Sequence, residues 1–143
     1  MDDLDQKILA ALAADSSVST SRLGRRFGIA RSTVQARIER MENSGVIAGY
    51  TVKLGNVALS RRIKATALVQ IEPRATAAVL QRLKSISQVE AVHTTTGRFD
   101  LIVQLSVQTT SDLDEVLDAI GAIVGVRGSE SLIHLTTKFD RSV

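Results

Sequence analysis

The chain has 143 residues, 44% of them apolar and 23% charged, which suffices for one domain or two small ones and excludes a large multidomain enzyme, a disordered tail or a collagen-like polypeptide. No apolar run approaches the roughly 20 residues of a bilayer span, and the absence of cysteine removes disulfides, thiolate metal sites and cysteine nucleophiles. The net charge of +3 conceals an asymmetry: residues 1–64 carry 11 Lys/Arg against 6 Asp/Glu, net +5, whereas residues 65–143 carry 7 against 9, net −2.

The opening Met1-Asp2-Asp3 is acidic where a secretory signal is basic and then apolar, so the expected location is the cytoplasm. Asp3 precedes Leu4, Ile8, Leu9 and Leu12, a spacing that predicts a helix over about 3–14 with an acidic residue at its N-terminal end. After the turn-forming Asp15-Ser16-Ser17-Val18-Ser19, Leu23 and Phe27 mark a short second helix ended by Gly28, with Arg22, Arg25 and Arg26 facing outward. Ile29-Ala30 forms a tight connection, and Val34, Ile38 and Met41 recur along a third helix running to about Ser44, stopped by Gly45. Val46-Ile47 and Tyr50–Leu54, with Gly49 between them, read as the two short strands of a wing hairpin. Residues 1–58 are therefore expected to form a winged helix-turn-helix domain, followed by a hinge over 59–63 that contains Ser60-Arg61-Arg62.

From residue 64 the pattern changes from helical to alternating. Ile63, Ala65, Ala67, Val69 and Ile71 predict a strand that ends at Glu72-Pro73. A helix over 74–86 presents Val79, Leu80, Leu83 and Ile86, and two strands, Val89–Thr96 and Leu101–Val107, flank the turn Gly97-Arg98-Phe99-Asp100. Thr110-Ser111-Asp112 resembles an N-cap for a helix carrying Leu113, Val116, Leu117, Ile120, Ile123 and Val124 and closed by Gly125, and Leu132–Phe139 is expected as the last strand. Residues 64–143 thus read as β-α-β-β-α-β, a ferredoxin-like four-stranded antiparallel sheet with both helices on one face, and the whole chain as α+β. Leu68, Val92, Ile102 and Ile133 stand out of phase with the other apolar positions of their strands. An apolar second face is expected from them, covered by a second copy in a homodimer held mainly by residues 63–143.

Within residues 22–40 the basic side chains are Arg22, Arg25, Arg26, Arg31, Arg37 and Arg40, opposed by Glu39 alone. Arginine offers a planar fork matched to phosphate oxygens and guanine edges, where a surface that is merely solvated would as readily carry lysine. With Val34, Ile38 and Met41 inward, the outer side of the third helix presents Arg31 and Gln35 for base edges and Ala36 for a thymine methyl. Ser32, Thr33, Arg37 and Arg40 would hold phosphates, flanked by Arg22, Arg25 and Arg26. Double-stranded DNA is the expected partner. His93 and His134 fall on separate strands with no cluster that a metal would complete. There is no phosphate-binding glycine loop or nucleophile elbow, so neither an enzyme nor a cofactor is expected. With Phe 3, Tyr 1 and Trp 0, the sheet lacks the stacking aromatics of an RNA reader.

Asp3-Leu4-Asp5-Gln6-Lys7-Ile8-Leu9, the helix from Ala30 to Glu42, Gly45-Val46-Ile47-Ala48-Gly49-Tyr50 and Gly97-Arg98-Phe99-Asp100 together resemble the Lrp/AsnC, or feast/famine, regulators over nearly the whole chain. The resemblance implies a DNA-binding regulator whose C-terminal domain senses an amino acid or similar effector, and whose dimers assemble into octamers or other discs. It further implies a pocket between dimers lined by Thr95, Thr96, Gly97, Arg98 and Asp100, with Ser129, Glu130 and Ser131 across from them. Arg98 would then pair with an effector carboxylate and Asp100 with its ammonium group, although a carboxylate at a strand start equally suits capping of nearby amides. Two departures stand out: the family commonly has serine where Ala30 stands, at the N-cap of the third helix, and tyrosine where Phe99 stands. An architectural, DNA-compacting protein without an effector is the alternative, and weak sequence preference with ligand-insensitive binding would mark it.

Overall fold

The computed structural model describes residues 1–142; Val143, the last residue of the expected second domain, lies outside the described residues. Two compact units emerge, Met1–Lys53 together with residues 141–142, and Leu54–Asp140.

The first unit is built from α1 (Asp3–Ala14), α2 (Thr20–Phe27) and α3 (Arg31–Asn43). Asp2 caps α1 and forms a reciprocal capping box with Asp5, satisfying two of the free amides at the helix start. Ser19 caps α2, and Gly28 ends it in the left-handed conformation at φ 68°, a backbone state that costs glycine little. Ile8, Leu12, Leu23, Val34, Ile38 and Met41 close into one core, because each helix repeats its apolar residues on a single stripe. Gly24 sits where α2 turns toward α3: a β-carbon there would stand 2.8 Å from the Ile29 carbonyl oxygen, and the Ile29 amide bonds back to the Gly24 carbonyl at 2.9 Å.

The expected wing hairpin is not formed: residues 46–55 contain no strand. Ile47 packs against the helical core and its amide bonds to the Met41 carbonyl at 3.0 Å, but Val46, Tyr50 and Val52 are exposed. A two-stranded ribbon with no apolar face to bury lacks independent stability. A single helical turn, α4 (Asn56–Leu59), precedes the sheet.

The second unit holds β1 (Ile63–Ile71), α5 (Thr76–Lys84), β2 (Val89–Thr94), β3 (Leu101–Val107), α6 (Thr110–Gly121) and β4 (Val126–Ile133). The sheet order is β2-β3-β1-β4, with β1 antiparallel to both β3 and β4 and β3 antiparallel to β2. Each helix therefore connects two strands that have a third between them, the split β-α-β arrangement of a ferredoxin-like fold. Alternate residues of β1 and β3 (Ala65, Ala67, Val69 and Ile71; Leu101, Val103, Leu105 and Val107) pack against Val79 and Leu83 of α5 and Leu113, Val116 and Ile120 of α6.

Two strand readings are corrected. The last strand is Val126–Ile133, not Leu132–Phe139. Its Arg127-Gly128-Ser129-Glu130-Ser131 shows no apolar alternation because β4 is an edge strand exposed along most of its length, and pairing with β1 decides its position. The apolar residues Leu135 and Phe139 that suggested a strand are exposed instead. On the face away from the helices, Leu68 lies opposite Ile102 and Leu132 opposite Thr66. Val92, paired with Val103, and Ile133, paired with Ala65, fall on the helix side, because directly opposed residues share a face. The open face also carries a polar chain in which the Thr66 hydroxyl bridges Gln104 Oε1 at 2.9 Å and His134 Nε2 at 2.8 Å.

Candidate DNA interface and effector site

On α3, Val34, Ile38 and Met41 are buried while Arg31, Ser32, Thr33, Gln35, Ala36, Glu39 and Arg40 are exposed, so the helical period places these side chains, all polar but Ala36, on one continuous outer face. Ala30 offers no side-chain acceptor to the first turn. Arg31 Nε reaches back to Thr20 Oγ1 on α2 at 3.2 Å, and Gln35 donates to Glu39 one turn on at 2.9 Å. Arg22, Arg25 and Arg26 are exposed on α2. Between the two helices lies an open concavity of about 720 Å³ lined by Ser21, Gly24, Arg25, Gly28, Ile29, Ala30 and Arg31. Guanidinium groups, hydroxyls and an amide on adjoining outer faces supply the donors that phosphate oxygens and base edges accept.

Arg37 and Arg40 have partners that sequence reading did not foresee. Arg37 is bonded to Asp2 and, at 3.2 Å, to Asp5, with a quarter of its side chain exposed. Arg40 reaches Asp5 at 2.9 Å and leaves 63% of its side chain open to solvent. Asp5 is the one charged or polar residue buried among the described residues. The Arg37 hydrogen bond, aided by the Asp5 amide, lowers the Asp2 carboxyl to about 2. For Asp5, burial alone would raise the carboxyl, but the Asp2 amide, Arg37 and Arg40 together hold it below its ordinary range. Asp2, then Asp5, push the Arg37 guanidinium up. No sequence signal marks these pairs, since the acids and arginines that meet lie 32 to 35 residues apart.

In the second unit, Thr95, Thr96, Gly97, Arg98 and Asp100 form one loop between β2 and β3, tied to the end of β1. Gly97 takes φ 102°, the left-handed backbone expected of it. The Asp100 amide donates to the Val69 carbonyl at 2.8 Å and the Thr95 amide to the Asp100 carbonyl at 3.0 Å. Asp100 Oδ2 accepts the Ile71 amide at 2.8 Å, and the Gln70 side-chain amide donates to the Arg98 carbonyl at 2.8 Å. Asp100 thus caps the end of β1. The Arg98 guanidinium stands 5.2 Å from the Phe99 ring centroid and 3.8 Å from Glu130, both members of the pair being largely exposed. Of the β4 residues, Glu130 is brought to the loop, whereas Ser129 and Ser131, opposite Val69 and Ala67, occupy the alternate face from Glu130, opposite Leu68. No group of three or more metal-ligating side chains occurs among the described residues, and no helix there is long and apolar enough to cross a membrane.

Comparison with known proteins agrees with both halves. Residues 1–42 match the family model of the AsnC-type helix-turn-helix domain, and residues 64–143 match that of the Lrp/AsnC ligand binding domain. The HTH-type transcriptional regulator FL11 of Pyrococcus furiosus is 32% identical over 135 residues, 94% of this chain and 89% of that protein. LrpA of Mycobacterium tuberculosis, also an HTH-type transcriptional regulator, is 29% identical over 142 residues, 99% of this chain and 95% of that protein. Among solved structures, the feast or famine regulatory protein of M. tuberculosis complexed with L-methionine superposes with a TM-score of 0.85 at 28% identity, covering 98% of this chain and 95% of that one. E. coli AsnC shares the fold, with a TM-score of 0.89 at 23% identity over 100% of this chain and 97% of that one. A helix-turn-helix unit bearing an arginine-rich outer face, joined in one chain to a ligand-binding ferredoxin-like unit, belongs to the Lrp/AsnC family of DNA-binding transcriptional regulators.

Proposed function

We propose that this regulator reads a specific duplex sequence with α3 and responds to a free amino acid held at the Arg98 loop. The observation that carries the DNA half is the exposed Arg31–Arg40 face of α3 beside the arginines of α2. Arg31 and Gln35 contact base edges and Ala36 a thymine methyl, while Arg22, Arg25, Arg26, Ser32, Thr33 and Arg40 contact the backbone. Replacing Gln35 by alanine is expected to cost about 1–3 kcal/mol and relax one operator position, whereas Arg25→Gln weakens all sequences alike; selection from a random duplex pool followed by footprinting separates the two.

The effector reading rests on the Arg98–Glu130 pair. A zwitterionic amino acid presents a carboxylate to the first and an ammonium to the second, replacing an exposed ion pair of small net worth. Asp100, spending one oxygen on the Ile71 amide, supports the loop, and Thr95, Thr96 and Gly97 shape it. L-methionine in the M. tuberculosis relative supports an amino acid as the ligand class. In a thermal-shift screen of the twenty amino acids, one at a hundredfold excess over its Kd stabilises the fold by about 2.7 kcal/mol, and Arg98→Gln and Glu130→Gln each abolish the shift. No response from any amino acid, together with weak sequence preference, would favour an architectural DNA-compacting role. The protein works as a homodimer through the open sheet face, with octamers or related discs built from it, and performs no catalysis. Effector binding acts by favouring one assembly over another, since a ligand with equal affinity for both shifts neither.

A further inference from the structure

Six arginines crowd residues 22–40, yet they do not stand in one electrostatic condition. Two acids from the start of α1 reach the flank of α3 next to Ile38 and Met41. Asp5 is 2% exposed at its side chain and is shared by Arg37 and Arg40; Asp2 bonds Arg37 from the outer side. The Asp2 amide donates to Asp5 Oδ2 at 3.2 Å and the Asp5 amide to Asp2 Oδ1 at 2.9 Å, so the two carboxylates are fixed by the same capping box that starts α1.

We propose that Asp5 is a positioning residue for DNA recognition: with Asp2 it commits Arg37 to the protein's own interior and orients Arg40 so that the rest of its fork faces a DNA phosphate. The proposal rests on the reading that the outer face of α3 meets the duplex. Arg37, with two carboxylates on one guanidinium nitrogen and three-quarters of its side chain covered, has its charge balanced before DNA arrives and releases no counterion from a phosphate. Arg40 gives a single nitrogen to Asp5 at 2.9 Å and keeps most of its side chain in solvent. A guanidinium has five N–H donors in a fixed plane, so anchoring one edge sets the direction of the others. The arginine-rich window therefore neutralises fewer phosphates than its composition suggests, and α1, which touches none of them, sets the aim of one guanidinium that does.

The test is the salt dependence of binding by the full chain to a 30-base-pair random-sequence duplex, followed by fluorescence anisotropy. The slope of log K against log salt falls by about 0.9 for each phosphate that is no longer neutralised. Arg25→Gln and Arg40→Gln are expected to flatten it by that amount each, while Arg37→Gln leaves it unchanged. Asp5→Asn is expected to weaken binding severalfold in the wild-type background and not at all in the Arg40→Gln background. A purely structural role would lower affinity equally in both backgrounds. Flattening by Arg37→Gln equal to that by Arg25→Gln overturns the proposal, as does an Asp5→Asn effect that is the same in both backgrounds. If Asp5→Asn does not fold, Arg37→Gln measured well below its Tm decides alone. A slope that none of the three arginine variants moves would displace the interface from α2 and α3 altogether, and the proposal with it; a slope that falls with Arg25→Gln and Arg37→Gln alike keeps the interface and removes only the division of labour.

Discussion

Asp5 shows how one buried carboxylate acquires a role from its neighbours. Desolvation works against its charge, and the two guanidinium groups with the Asp2 amide outweigh that penalty. Both Asp2 and Asp5 have lowered pKa values in the folded state, so their contribution to stability is fully present above the ordinary carboxylate range. It is lost as pH falls through the folded values, which for Asp2 means between about 4 and about 2. Chemical denaturation across that window is expected to show wild-type stability dropping more steeply than that of Asp2→Asn, whose curve is flatter because one of the linked protons is gone; parallel curves would show that Asp2 is not linked to folding. Asp100 is a second carboxylate whose duty is set locally, by the Ile71 amide. Asp100→Asn keeps an oxygen acceptor for that amide, so it is expected to retain effector affinity within a few fold by calorimetry, whereas Glu130→Gln loses it.

Among elements, α3 starts without a side-chain cap because Ala30 stands at the N-cap position with extended backbone, φ −66° and ψ 144°. A serine fits that backbone and its hydroxyl reaches the free amides of the first turn, so Ala30→Ser is expected to raise unfolding stability by about 1 kcal/mol in urea titration. The connection from α6 into β4 has the opposite tolerance. Gly125 takes φ 103°, and an added β-carbon would lie 2.4 Å from the Ala75 β-carbon where α5 begins. Gly125→Ala is therefore expected to destabilise by about 1–3 kcal/mol, through backbone strain and displacement of α5 from the sheet. The same titration that registers the gain at Ala30 registers this loss.

For the molecule as a whole, the open face of the sheet is the surface that asks for a partner. Leu68 and Ile102 lie side by side there, and Leu132 is more than half exposed, while the helix side of the sheet is already filled. Leu68→Glu places a charge opposite Glu130 without entering that filled core. Sedimentation equilibrium of the full chain at micromolar concentration is expected to shift from dimer to monomer, with the monomer's helical content unchanged. A Leu68→Glu protein that sediments as wild type would assign self-association to another surface.

The helices of the first unit, and β1, β3, α5 and α6 of the second, were legible because each buries one face against a core, and a single buried face imprints its period on the sequence: Val34, Ile38 and Met41 on α3, and Ala65, Ala67, Val69 and Ile71 on β1. Gly28 and Gly97 marked turns by the same local logic, whereas the cap of α6 is Thr109, one residue before the expected Thr110-Ser111-Asp112, and the helix ends at Gly121, short of the expected Gly125. Features that depend on residues distant in the chain emerged with the folded molecule alone. β4 is positioned by its ladder with β1 and carries no alternation of its own, the wing stretch leaves Val46, Tyr50 and Val52 exposed and forms no strand, and Val92 took its face from Val103 rather than from its own phase. Above all, Arg37 and Arg40 looked identical to their neighbours in composition, and only the approach of α1 across 32 to 35 residues of sequence gave them carboxylate partners. Periodicity records burial along an element; charge pairing between elements leaves no period to read.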